Sequence, residues 1–497
     1  MIPTHTDISA DSLADSVSAL LAQGARFGGL FASRSVKGPT LLTAVVAERK
    51  GLTLLEATVA ASTASYPALT AQIPAAAWYE REIHDLFGLE PAGHGRLDPL
   101  VLPLRSGTPR ETALAVDAPV EIEESALGAH VHGEGMFTIP YGPVRSGVFE
   151  SIEYLLETPG EDIPHIRSRI YYKHRGIERR FERLPVDQAV LVAERVEGIA
   201  SVAHAIAFSR AIEALAGVEV PERAELLRVV HAELERVANH LDSMIRHTEG
   251  SGQAVAYARL SLHKERALRL QATLCGHRFA RGVVLPGGVI GPPLAPPKEI
   301  LEHIGALEHA LDDDIQALMA TPSFTDRLRG TGAIPAHIAQ GHGALGPVGR
   351  ASGMAEDVRI DRPYGAYAHL GFQIAEPHSE GDALARQRIR IDEIRSSFHL
   401  IRQALDLLAT TDDRGPMDGW HTEIGLCSGK VISSVEAPQG ELLYMVESDG
   451  NRLLRVKPRC ASFHNLALFP QAFQGDIFTD FVFIEASFGM CIAGAAG

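Results

Sequence analysis

The chain reads as an α+β protein: a mixed α/β module over residues 1–102, then a linker, then a mainly helical unit with a small antiparallel sheet over residues 133–497. Three observations predict this. Short apolar runs bounded by Gly, Lys or Ser crowd the first hundred residues. Long stretches with apolar side chains three and four apart fill the middle. Near the end, β-branched runs are joined by tight turns.

Residues 11–22 place Leu13, Val17, Leu20 and Leu21 at helical spacing. The runs 26–32 (RFGGLFA), 41–47 (LLTAVVA) and 53–60 (TLLEATVA) read as strands. Residues 103–132 are rich in Pro, Ala and acidic residues without a period, and read as a linker. A strand-like region near 134–158 opens the second unit. Residues 187–215 then carry Val190, Val192, Ala193, Val196, Ile199, Val202, Ala203, Ile206 and Ala207. That stripe is wide enough for one helix buried on most sides. Pro221 is placed just inside the next helix, where its missing N–H costs nothing. That helix, 222–247, puts Leu227, Val230, Leu234, Val237, Leu241 and Ile245 on one face. Helical patterns recur at 254–280, 297–319 and 380–409. Runs 429–436 and 441–447 flank Ala437-Pro438-Gln439-Gly440, and Asp449-Gly450 turns the chain into 452–457.

The formal net charge of −16 argues against nucleic-acid binding, which needs a basic stripe. No apolar run is long enough for a transmembrane helix. The polar, acidic start MIPTHTDISADSLADS lacks the pattern of a signal peptide. Cys275, Cys427, Cys460 and Cys491 offer neither a disulfide framework nor metal-ligand spacing, so each reads as a buried small hydrophobe. A reduced cytoplasmic setting is expected. No Gly-rich dinucleotide fingerprint opens a helix after a strand.

Six segments carry a resemblance. Residues 78–94, WYEREIHDLFGLEPAGH, resemble a signature of the small core subunit shared by respiratory complex I and its hydrogenase relatives. Residues 172–178 (YKHRGIE), 221–241 (PERAELLRVVHAELERVANHL), 281–289 (RGVVLPGGV), 350–367 (RASGMAEDVRIDRPYGAY) and 435–463 (VEAPQGELLYMVESDGNRLLRVKPRCASF) resemble the large partner subunit, in order. The two subunits are fused here. That arrangement is similar to the large subunit of formate-hydrogenlyase-type, membrane-bound nickel–iron hydrogenases. The resemblance implies a complex I small-core-type α/β domain, then a hydrogenase-large-subunit bundle. It also implies a small partner subunit with an iron–sulfur cluster, antiporter-like and anchor subunits in the membrane, and a peripheral place on the membrane's cytoplasmic side.

The metal motifs depart from that family. Residues 195–204, RVEGIASVAH, resemble its RVCGICxxAH segment, with Glu197 and Ala200 where it has cysteines. Residues 487–494, SFGMCIAG, resemble its second CxxC, with Cys491 kept and Gly494 in place of the other thiol. Gln439 stands where the family has an arginine over the metals, and cannot supply its charge or its fork of donors. Three residues follow Gly494, so a C-terminal extension for a maturation protease is not expected. A nickel–iron centre needs soft thiolates, so it is expected to be absent. Zinc held by Glu197, Cys491 and His204 is a weaker reading than an empty or polar pocket.

The plainer readings are these. Glu197 could pair with Arg195, but its position in the motif favours the interior. His204 lies on the apolar stripe and reads as a hydrogen-bonded core histidine, and Cys491 as a core residue. His174, Arg175 and Glu178 are expected at the interface with the cluster-bearing partner. Glu233, Glu235, Arg236 and His240 read as a solvated or interfacial helix face.

Two functions follow. In the first, electrons pass from the partner's cluster to a quinone or other small acceptor in a cavity formed by Glu197, His204, Gln439 and Cys491. The stretch Tyr141–Phe149, however, lacks the histidine that reaches quinone in complex I. In the second, the chain is a non-catalytic core joining a soluble module to ion-translocating membrane subunits.

Overall fold

The computed structural model describes residues 4–34, 38–102, 135–145, 150–410, 419–450 and 452–497. The expected linker, 103–132, lies outside the described residues, as does part of the histidine-free stretch, 146–149.

The first module contains β1 (Thr4–Ile8), α1 (Leu13–Ala22), β2 (Arg26–Arg34), β3 (Thr40–Glu48), β4 (Gly51–Val59), β5 (Ser65–Pro67), α2 (Ala77–Phe87) and β6 (Glu90–Ala92). Strands β2 to β4 form an antiparallel meander, and β1 adds in parallel to give the order β1-β4-β3-β2. Leu13 and Val17 of α1 are buried. Gly88, at φ 75°, ends α2 in the left-handed conformation that glycine tolerates best.

The second unit opens with the antiparallel sheet β7 (Phe137–Tyr141), β8 (Glu153–Thr158) and β9 (His165–Arg169). Helices α3 (Ile177–Phe181), α4 (Val186–Ala193), α5 (Ser201–Ala216), α6 (Glu222–Gly250) and α7 (Ala254–Cys275) follow. After the short pair β10 (Val284–Leu285) and β11 (Gly288–Val289) come α8 (Pro297–Met319), α9 (Pro322–Leu328), α10 (Ala336–Gly341), α11 (Gly346–Ala351) and α12 (Val358–Asp361). The chain continues through α13 (Ala383–Thr410), the antiparallel sheet β12 (Gly429–Ala437), β13 (Gly440–Asp449) and β14 (Arg452–Arg459), then α14 (Ala461–Leu468), α15 (Phe481–Phe488) and α16 (Ile492–Ala496). Helices α6 and α13 pack along one another at the centre, and α5 packs on β12 and β13.

Three expectations need correction. The single helix expected over 187–215 is two, because residues 194–200 form a loop between α4 and α5. Arg175 takes the carbonyls of Arg195 and Val196, at 2.9 and 2.7 Å, so a guanidinium does what helical N–H groups would otherwise do. Pro221 caps α6 rather than lying inside it. The helix expected over 254–280 ends at Cys275, because Gly276 turns left-handed at φ 78°.

Polar contacts, most of them buried, join the module to the second unit. Arg26 bonds Glu441 and Glu356, both at 2.7 Å, Lys457 bonds Glu82 at 2.7 Å, and Tyr79 shares a 2.8 Å hydrogen bond with His464.

Candidate functional site

The loop between α4 and α5 turns Glu197 inward, leaving it 1% exposed. One turn into α5, His204 is fully buried and shares a 2.6 Å hydrogen bond with the Tyr444 hydroxyl of β13 through Nδ1. Its Nε2 stands 3.8 Å from Glu197 Oε2. Neither His204 Nε2 nor Glu197 Oε1 has a hydrogen-bond partner among the described residues. Ala200 is buried at the N-cap of α5 and offers no capping side chain.

The other half of this buried cluster comes from the last helices. A Cβ built at Gly494 would overlap the Glu197 carboxyl group. Glu197 therefore occupies the space that a side chain at 494 would need. Cys491 is buried, with Sγ 3.6 Å from Glu150 Oε1. Glu150 also accepts the backbone N–H groups of Ile492 and Ala493. Burial first, then the charges of Glu197 and Glu150, push the Cys491 thiol well up. Cys460, at the N-cap of α14, faces Glu197 as well, and burial and that carboxylate push its thiol up too. Both shifts act in the same sense, toward the protonated thiol. Among the described residues, no three His, Cys, Asp or Glu side chains gather in metal-holding geometry. With Glu197, Ala200 and Gly494 at three of the four motif positions and Cys491 alone at the fourth, the donors do not fit a four-thiolate nickel–iron site.

Gln439 sits in the turn between β12 and β13. It is 7% exposed, and neither amide atom has a hydrogen-bond partner among the described residues. The turn itself is fixed from behind. Arg236 donates to the carbonyls of Glu436 and Ala437 at 2.7 and 3.0 Å, and Arg350 donates twice to Glu436 Oε1 at 3.1 Å. The structure gathers Glu197, His204, Gly494 and Cys491, whereas Gln439 makes no hydrogen bond to that group.

The HRGIE residues tie the loop to the chain's last turn. His174 Nδ1 lies 2.6 Å from the Ala496 carbonyl, and Arg175 reaches the Ala493 carbonyl at 2.7 Å. Glu178 accepts from Lys457 at 2.6 Å. Burial works against the Glu178 carboxylate, but Arg455 and Lys457 outweigh it and hold its pKa at about 2. All three residues remain partly exposed.

The helix face of Glu233, Arg236 and His240 is not solvated but buried. Glu233 accepts from Arg236 and Arg359 at 3.1 Å and from Tyr367 and Ser397 at 2.6 Å. Burial raises its pKa, but the two arginines and two hydroxyls outweigh it and hold it at about 2. His240 lies 2.7 Å from Glu393, which also pairs with Arg350 at 2.7 Å. Asp357 pairs with Arg359 at 2.7 Å. Apart from Arg236, the partners of Glu233 and His240 lie more than 100 residues along the chain, which is why the helical pattern alone did not reveal them.

Glu235 is part-exposed on the same helix and differs from its neighbours. It caps α5, accepting from Val202 N at 2.8 Å and Ala203 N at 3.0 Å. Burial, together with repulsion from Glu197, outweighs those bonds and raises its pKa to about 8. It lines a cleft of about 70 Å³ between α6, α7 and the Gly198–Ile199 segment.

Comparison with known proteins fits this layout. The family described as "Respiratory-chain NADH dehydrogenase, 30 Kd subunit" matches residues 12–119, and "Respiratory-chain NADH dehydrogenase, 49 Kd subunit" matches residues 252–496. The chain is 31% identical over 371 residues to "Membrane-bound hydrogenase subunit alpha" of Pyrococcus furiosus, covering 71% of this chain and 86% of that one. It is 27% identical over 455 residues to "Formate hydrogenlyase subunit 5" of Escherichia coli, covering 87% of this chain and 77% of that one. It is 31% identical over 405 residues to "NADH-quinone oxidoreductase subunit 4" of Thermus thermophilus, covering 75% of this chain and 96% of that one. The chain belongs to the family of large core subunits shared by complex I and the membrane-bound, formate-hydrogenlyase-type hydrogenases, with the 30-kDa-type module fused ahead of the 49-kDa-type domain.

Proposed function

We propose that this chain is the fused large core subunit of a membrane-associated, complex I-like assembly. In this reading electrons come from an iron–sulfur cluster in a small partner subunit. They leave to a quinone or another small acceptor beside the 194–200 loop, and no nickel–iron hydrogen chemistry takes place.

The observation that carries the reading is the mutual fit of Glu197 and Gly494. The pocket has not merely lost sulfur. A carboxylate now fills the room of the second half-motif, so the two departures form one arrangement. A hard oxygen donor there suits neither nickel nor a thiolate-bridged iron. The unpartnered polar atoms of Glu197, His204 and Gln439 favour a pocket that meets a polar ligand or water over a purely structural core. No helix of the described residues is long and apolar enough to cross a membrane, so the membrane contact is assigned to partner subunits on the cytoplasmic side.

The test is electron transfer in the purified complex. With reductant supplied through the cluster-bearing partner, a short-chain quinone is reduced and hydrogen is neither consumed nor released. Hydrogen evolution at rates that track this subunit would overturn the reading. Loss of acceptor reduction with the assembly intact would favour the non-catalytic core.

A further inference from the structure

The first module and the β8–β9 hairpin leave a cavity of about 260 Å³ between them, with residues 470–474 along one side. Its lining shares no residue with the Glu197 cluster. Four guanidiniums line it: Arg81 on α2, Arg96 in the segment after β6, and Arg167 and Arg169 on β9. Alternation along β9 puts Arg167 and Arg169 on the same face as His165. Three of the four have a carboxylate partner. Arg96 pairs with Asp98, which among the described residues is the one carboxylate in the lining. Glu157 stands 2.7 Å from Arg167, and Glu153 stands 2.8 Å from Arg169.

Arg81 forms no ion pair among the described residues. Its Nε and Nη2 donate to the Asp98 and Pro99 carbonyls at 2.8 and 3.2 Å, which leaves Nη1 over. Burial lowers its pKa, and the charges of Asp85 and Asp98 do not offset that. Asp85 itself accepts the backbone N–H groups of Leu100 and Val101 at 2.7 and 2.9 Å. Arg96 Nη2 is shut off from solvent and donates to nothing among the described residues. A gap filled only by water gives no reason to hold a guanidinium there without a counter-charge, since burying one costs free energy.

We propose that this cavity binds a small phosphate monoester, its phosphoryl group held by Arg81 and Arg96 and its organic part against Trp78, Pro99 and Pro470. The guanidiniums come from three segments of the chain. A phosphoryl group answers them with three oxygens and a charge of about −1.5 to −2, where a planar carboxylate offers two oxygens and one charge. The volume equals about eight waters of about 30 Å³ each, a fit for a phosphoryl group on a short carbon chain. Both modules contribute arginines, so the ligand fastens one to the other, and such junctions are favoured places for small-molecule sites. The site stands apart from the proposed electron transfer.

Trp78 and Trp420 are the two tryptophans of the chain, so Trp420→Phe leaves Trp78 as the sole reporter. In that full-length chain, glycerol 3-phosphate should change the Trp78 emission saturably and raise the melting temperature. Arg81→Gln should weaken binding by about tenfold or more, and Arg81→Lys, which keeps the charge without the fork, should restore only part. Arg96→Gln, at a partly exposed side chain, should weaken it severalfold, and it decides the matter if Arg81→Gln does not fold. Succinate, and chloride at matched ionic strength, should produce little response. No saturable response to glycerol 3-phosphate, an equal response to succinate, or wild-type affinity in the arginine variants that fold would overturn the site. So would a response to phosphatidylcholine–phosphatidylglycerol vesicles with none to glycerol 3-phosphate, which would assign the arginines to a lipid headgroup.

Discussion

Glu233 and Glu197 are buried to the same degree and are treated oppositely. Glu233 accepts from two guanidiniums and two hydroxyls. Glu197 meets an imidazole at 3.8 Å and the thiols of Cys460 and Cys491, and its Oε1 makes no hydrogen bond among the described residues. The first region uses charge to lock α6, α12 and α13 together. The second keeps polar groups under-matched, an arrangement that stability alone does not favour and that active pockets share. The contrast teaches where this fold is rigid by construction and where it is left free to meet something else.

The contrast can be broken most sharply from the network side. Arg359→Ala takes one of two guanidiniums from Glu233 and the nearer one from Asp357, and should cost about 3–5 kcal/mol, read as a fall in the denaturant midpoint. On the pocket side, Gly494→Ala drives a methyl group into Glu197 and should cost about 1–3 kcal/mol. Glu197→Ala/Gly494→Ala should recover most of that loss, because the two positions share one space. Additive losses in this cycle would show that they do not. Glu197→Gln removes a charge without a matched cation and should change stability by less than about 1 kcal/mol, or raise it.

The two regions should also respond to pH with opposite sign. Glu233 has a folded pKa of about 2, below its unfolded value, so its contribution is present above the unfolded pKa and is lost as pH falls toward 2. Glu235 has a folded pKa of about 8, above its unfolded value. Between the unfolded value and about 8 the folded chain holds the extra proton, so stability falls as pH rises through that window. Glu235→Gln should flatten that slope between neutral and mildly alkaline pH, measured by thermal unfolding. The smallest effect concerns Cys460 and Cys491, whose raised thiol pKa values predict slow alkylation in the folded chain at neutral pH.

Much of the fold was legible because its periods are strong. The helix expected over 297–319 is α8 to the residue, and the runs 26–32, 41–47 and 53–60 lie almost wholly within β2, β3 and β4. The loop at 194–200 was not legible, since its apolar residues keep helical spacing while Arg175, twenty residues earlier, takes their carbonyls. The motifs gave Glu197, Gly494 and Cys491 as positions, but no spacing rule links Cys460 or Glu150 to them. Glu235 hid among charged neighbours on a helix face that looked solvated. What distinguishes it is which backbone it caps and which carboxylate it faces, and neither is written in local sequence.

The most direct measurement is the nickel content of the purified complex, by elemental analysis with X-ray absorption at the nickel edge. The account predicts no stoichiometric nickel, because Glu197 stands in the space of the missing half-motif. One nickel per chain with sulfur neighbours would contradict it.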